Sequence, residues 1–126
     1  MSLEEIARKM CAKGRGILAA DESTGTMEKR LKSVGIESTE KNRLNFRETL
    51  FQSKAMKEFI GGVILFDETL RQKSSNGISI PDLISKNNSI PGIKVDKGAK
   101  LLAGSNKEKI TEGLDGLRER LMEYNK

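Results

Sequence analysis

The chain has 126 residues, a length suited to one domain, and it is polar: 33% of residues are charged, 36% apolar and 4% aromatic, with a formal net charge of +5. The basic residues alternate with nearly as many acids and form no block, and no apolar run approaches the ~18 residues of a membrane helix, so the expected protein is cytoplasmic and binds neither nucleic acid nor membrane. The absence of histidine removes serine–histidine triads and the usual zinc sites, and a single cysteine, Cys11, removes internal disulfides and cysteine metal clusters.

Leu3, Ile6, Ala7 and Met10 fall at i, i+3, i+4 and i+7, which predicts an amphipathic helix over 3–12, with Ser2 and Glu5 spaced for a capping box. Cys11 reads as a small residue on that helix. The glycines at 14 and 16 end the helix and lead into an apolar strand over 16–20 that stops at Asp21-Glu22. By the two-residue period Ile17, Ala19 and Asp21 share a face. The polar residues 23–26 read as a turn, followed by a short helix over 27–34 stopped by Gly35. A second helix is expected over 40–53, capped by Ser38 or Thr39, with Leu44, Phe46, Leu50 and Phe51 as its buried face. Residues 59–66 are apolar on both faces, as in a parallel strand covered on two sides, and end at Asp67-Glu68. A surface turn at Asn76-Gly77 precedes a brief helix over 80–85 with Pro81 near its first position. A third strand over 92–95 ends at Asp96-Lys97, residues 97–106 form a glycine-bounded loop, and a last helix over 110–124 carries Leu114, Leu117, Leu121 and Met122 as a stripe, with Thr111 as cap.

Strands alternating with helices predict an α/β fold with a parallel sheet and right-handed crossovers. Three strands that end in charge would deliver it to one rim, where parallel α/β sheets bind ligands. Asp21 could there act as a general acid or base, a metal ligand, an acceptor for a substrate hydroxyl, or simply a helix cap. Lys94 falls at the corresponding end of another strand, so the two could form a structural ion pair or bind a polar ligand between them. Ser23, Thr24, Gly25 and Thr26, opening a helix and followed by Arg30, suit a phosphate cradle and equally suit plain capping. The Gly-Lys-Ser/Thr ending of a P-loop is missing.

Four motifs in order, Leu18-Ala19-Ala20-Asp21-Glu22-Ser23-Thr24-Gly25-Thr26, Gly62-Val63-Ile64-Leu65-Phe66-Asp67-Glu68-Thr69-Leu70, Pro91-Gly92-Ile93-Lys94-Val95-Asp96-Lys97-Gly98 and Gly113-Leu114-Asp115-Gly116-Leu117, closely resemble the class I fructose-bisphosphate aldolases. The resemblance runs along essentially the whole chain and covers about the first third of the family's length. It implies the first three strands of a (β/α)8 TIM barrel, one incomplete domain over 1–126, in an enzyme of glycolysis and gluconeogenesis. That enzyme reversibly cleaves fructose 1,6-bisphosphate to glyceraldehyde 3-phosphate and dihydroxyacetone phosphate through a lysine Schiff base, with no metal or other cofactor. Carried over by position, Asp21 matches the aspartate that assists carbon–carbon cleavage and Lys94 a lysine at the substrate. Ser23, Thr26 and Arg30 match residues that bind a substrate phosphate, with Thr26 replacing the more usual serine, and Arg43 matches a further arginine linked to phosphate. Asp67, Arg71 and Ala99-Lys100 depart from the family's usual residues. The Schiff-base lysine and the acid–base glutamates fall beyond Lys126 in the family pattern. The resemblance therefore implies a phosphorylated sugar as substrate, a homo-oligomer when the barrel is whole, and a chain inactive alone. The alternative is a non-catalytic segment that binds phosphate or completes another barrel.

Overall fold

In the computed structural model, which describes residues 1–126, the first two apolar runs become adjacent parallel strands. The chain runs α1 (Leu3–Met10), β1 (Gly16–Ala20), α2 (Thr24–Ser33), α3 (Glu40–Phe51), α4 (Lys54–Phe59), β2 (Ile60–Leu65), α5 (Asp67–Leu70), α6 (Ile80–Lys86), β3 (Ile90–Ile93), β4 (Ala99–Leu101), β5 (Lys109–Thr111) and α7 (Leu117–Tyr124). Two compact units divide it, 1–94 and 95–126.

In the first unit β1, β2 and β3 lie in that order in one parallel sheet. Leu18 is opposite Val63 and Ala20 opposite Leu65, and this face meets the helices. Ala20, Phe51, Met56, Val63, Leu65, Ile80 and Ile84 form the core beneath it. On the other face Ile17 and Ala19 are exposed, because three strands leave open the side that further strands would enclose.

The first helix forms with the predicted capping box, in which Ser2 Oγ accepts from Glu5 N–H and the Glu5 carboxylate accepts from Ser2 N–H. Its last residue, Met10, lies against β2. A Cβ on Gly61 would overlap the Met10 carbonyl, and one on Gly62 would meet the Met10 Cε, so only glycine lets the helix approach this closely.

Several elements differ from expectation. The helix predicted over 40–53 stops at Phe51, because Ser53 Oγ accepts from Met56 N–H and starts a separate helix, α4. Phe59 ends that helix, so the second strand begins at Ile60. Phe46 and Leu50, expected inside, are each 37% exposed, while Arg43, Arg47, Glu48 and Phe51 are buried. The third strand lies at 90–93 instead of 92–95. Pro91 is tolerated there because β3 is an edge strand.

In the second unit the predicted loop over 97–106 and the start of the predicted helix over 110–124 instead form an antiparallel hairpin, with Ala99 opposite Thr111 and Leu101 opposite Lys109. Ile110 and Thr111 are β-branched and suit a strand. Gly113 then turns at φ 144°, where a Cβ would lie 2.8 Å from Asp96 Cα, and Gly116 caps α7 from the left-handed region at φ 66°. The last helix therefore holds only from Leu117, Thr111 lies in a strand, and Leu114, expected on the helical stripe, is outside the helix and exposed.

Candidate active site

The sheet register brings the end of β1 and the residue after β3 to the same place. Ala19 is opposite Ile64 and Ile64 opposite Gly92, so these three share the open face. Two residues further on, Asp21 and Lys94 return to that face. Lys94 N–H still donates to the Leu65 carbonyl at 2.9 Å, which carries the backbone alignment one residue past β3. The Lys94 Nζ lies 3.9 Å from Asp21 Oδ2, and the two side chains are 24% and 27% exposed. A cation and an anion thus meet across the width of β2, reachable from the open face.

Beside them, Ser23 is the N-cap of α2, and its Oγ accepts from Thr26 N–H at 3.4 Å and lies 3.1 Å from Thr26 Oγ1. The predicted turn over 23–26 is thereby the cap and first turn of a helix that begins at Thr24. Both hydroxyls and the first N–H groups of α2 stand at the exposed end of the site. Arg30, one turn along, donates to Glu22 Oε1 with its side chain still 55% exposed.

The other candidate arginine sits deeper. Arg43 grips Glu68 through two bonds, Nε to Oε1 at 2.9 Å and Nη2 to Oε2 at 2.6 Å, while Nη1 donates to the Ser38 carbonyl. The bidentate hydrogen bond from Arg43, aided by its charge, holds the Glu68 carboxyl below the usual range and raises the Arg43 pKa in return. The carboxylates of Asp21, Glu22 and Glu68 are each drawn to a cation, and no three acidic or cysteine side chains converge as metal ligands would.

Structure thus brings Asp21, Lys94, Ser23 and Thr26 to one rim, keeps Arg30 beside Glu22, and ties Arg43 into the contact between α3 and α5. Sequence reasoning missed Arg47, which is 1% exposed, together with its partners Glu22 and Thr69 and the Arg43 partner Glu68. A signal was present: Arg43, Arg47 and Phe51 recur every four residues, a stripe as regular as the apolar one.

Parallel strands with intervening helices, an open inner face and a charged rim at the carboxyl ends define part of a TIM-barrel protein. The match to known proteins narrows this further. The model of the family described as glycolytic class-I fructose-bisphosphate aldolase matches residues 2–126, and the chain belongs to that family. It is 54% identical over 122 residues to fructose-bisphosphate aldolase 1 of Toxoplasma gondii, covering 97% of this chain and 34% of the relative. It is 54% identical over 123 residues to the fructose-bisphosphate aldolase of Schistosoma mansoni, again covering 97% and 34%. A solved structure of the Plasmodium falciparum aldolase superposes with a TM-score of 0.91 at 48% identity, over 96% of this chain and 35% of that one. The chain spans about a third of the length of the relatives it matches. No helix is long and apolar enough to cross a membrane.

Proposed function

We propose that this chain supplies the first three strands of a class I fructose-bisphosphate aldolase and carries one half of its active site. In this reading the Asp21 carboxylate faces the C4 hydroxyl of the sugar and assists carbon–carbon cleavage, and Lys94, 3.9 Å from it, contacts the substrate. Ser23, Thr26, the first N–H groups of α2 and Arg30 bind a phosphate of the substrate. Arg30 must exchange Glu22 for that phosphate, whereas Arg43, committed to Glu68 and Ser38, supports the phosphate side through α3 and α5. The Schiff-base lysine belongs to the part of the barrel that this chain does not contain. The whole enzyme is proposed to be cytoplasmic and homo-oligomeric.

The observation that carries this reading is the Asp21–Lys94 pair at 3.9 Å on the open face, with a capped helix start beside it. A second reading, a segment that completes another barrel without catalysis, is favoured by the unpaired outer edges of β1 and β3. Joining this chain to the remaining two thirds of the Toxoplasma gondii relative separates the two. Cleavage of fructose 1,6-bisphosphate by the joined protein is expected, and an inactive but folded protein would favour the second reading. The isolated chain should give no turnover and no substrate adduct on Lys94 after borohydride reduction, as read by mass spectrometry. Such an adduct with turnover would overturn the assignment of Lys94 as a contact residue.

A further inference from the structure

Arg47 is the most deeply buried charged side chain of the fold, at 1% exposure, and none of the roles above uses it. Its donors are spent in an unusual place. Nε donates to the Ala20 carbonyl at 3.1 Å and Nη2 to the Glu22 carbonyl at 2.5 Å, the two residues on either side of Asp21. Nη1 donates to Thr69 Oγ1 at 2.8 Å, which anchors the same guanidinium to α5 just past the end of β2. The Glu22 carboxylate lies 3.8 Å from Nη2, and the Phe66 ring centroid is 5.9 Å from the guanidinium carbon.

These bonds fall where the pairing of β1 ends. The registered pairing of β1 with β2 ends at Ala20 opposite Leu65, so Asp21 lies beyond the last paired residue of its strand. A peptide segment past the end of a ladder would drift with the adjoining loop. Two donors of one rigid, planar group hold the carbonyls before and after Asp21, where the ladder ends, and set the direction in which its side chain leaves the backbone. Lysine cannot do this, because one ammonium on a flexible stem does not span two carbonyls and a hydroxyl in fixed geometry.

We propose that Arg47 is a positioning residue for Asp21: it clamps the backbone on both sides of the carboxylate, references it to α5 through Thr69, and so holds Asp21 against Lys94 and the substrate. This rests on the reading of Asp21 as a group that assists cleavage. A merely structural buried charge would lower stability when changed and leave kcat alone. A clamp must instead lower kcat through Asp21, since an error of about 1 Å in a reacting group costs on the order of 100-fold.

The test uses the chain joined to the remaining two thirds of the Toxoplasma gondii relative, assayed for fructose 1,6-bisphosphate cleavage, with circular dichroism to check folding. Arg47→Lys is expected to lower kcat about 10- to 100-fold with KM within about threefold. In an Asp21→Asn background the same change should cost less than about twofold, because the group it positions has already lost its charge. Thr69→Val, isosteric and without the acceptor, should lower kcat about three- to tenfold and lose that effect in the same background. If Arg47→Lys does not fold, the Thr69→Val cycle decides. Normal kcat in the folded variants, or effects that simply multiply with Asp21→Asn, would overturn the assignment of Arg47. An inactive parent, or an Asp21→Asn protein of full activity, would instead remove the reading of Asp21 beneath it, and the proposal with it.

Discussion

Asp21 and Arg30 are charged side chains that their surroundings leave within reach of a ligand. Asp21 is partly exposed, opposed by a lysine at 3.9 Å and without a close bond that would consume its carboxylate in that pair. In the completed barrel Asp21→Asn preserves shape and removes charge, so the fold should persist while cleavage slows on the order of 100- to 10,000-fold. Steady-state kinetics with a thermal melt as control measure this, and near-normal turnover would contradict the role. Arg30 is 55% exposed and its guanidinium is paired with Glu22, so it can turn to a ligand. Arg30→Ala should raise KM for the bisphosphate more than for an unphosphorylated analogue. Equal weakening of both would show that the guanidinium does not read phosphate.

Between elements, buried polar contacts do work that apolar contacts do elsewhere. The Arg43–Glu68 pair ties α3 to α5, with side chains 11% and 24% exposed. Because the Glu68 pKa is depressed below its ordinary 4.5, the stabilisation it brings is present above about pH 4.5 and is lost as pH falls through the lower folded value. Glu68→Gln should therefore cost about 1–3 kcal/mol at neutral pH, with the gap from the parent closing in acid below that point. Urea titrations of the completed barrel between pH 3 and 7 would show it, and a gap independent of pH would mean that the charge of Glu68 contributes nothing. The contact of α1 with β2 is limited by backbone approach. Gly61→Ala puts a Cβ into the Met10 carbonyl and should destabilise by about 1–3 kcal/mol, whereas Gly25→Ala, inside α2 with open space around it, should stabilise by about 0.4–1 kcal/mol. Equal effects at the two sites would refute the close approach.

For the chain alone, nine buried apolar residues form the interior, while Ile17, Val34, Ile36, Phe46, Leu50 and Phe59 are exposed. β1 and β3 each pair on one side only, and the face that carries the site is uncovered. Unpaired edges recruit other chains, and so small a core should leave stability below the usual range of about 5 to 15 kcal/mol. The isolated 126 residues are expected to bind dyes that report exposed apolar surface, to lose near-ultraviolet signal early and to associate as concentration rises. A sharp, cooperative transition of a monomer would refute this and point to a unit that folds by itself.

Strand–helix alternation, the capping box at Ser2 and Glu5, the caps at Ser23 and Thr39, and the shared face of Asp21 and Lys94 were legible in the sequence, because each depends on local spacing or on a fixed two-residue period. The motifs also pointed to the aldolase family, which the match over residues 2–126 shows. The rest depended on what packs against what. Arg43 and Arg47 turn inward and Phe46 and Leu50 outward, because backbone carbonyls at and just past the end of β1 and the carboxylate of Glu68 need donors more than the core needs another apolar side chain. The hairpin at 99–111 likewise escaped a helical periodicity, since antiparallel pairing between residues eight to twelve apart leaves no trace in short-range spacing. Local chemistry chose the elements and the rim, but only tertiary structure decided which charges the interior would keep, since the desolvation cost of an arginine is met by partners distant in the chain.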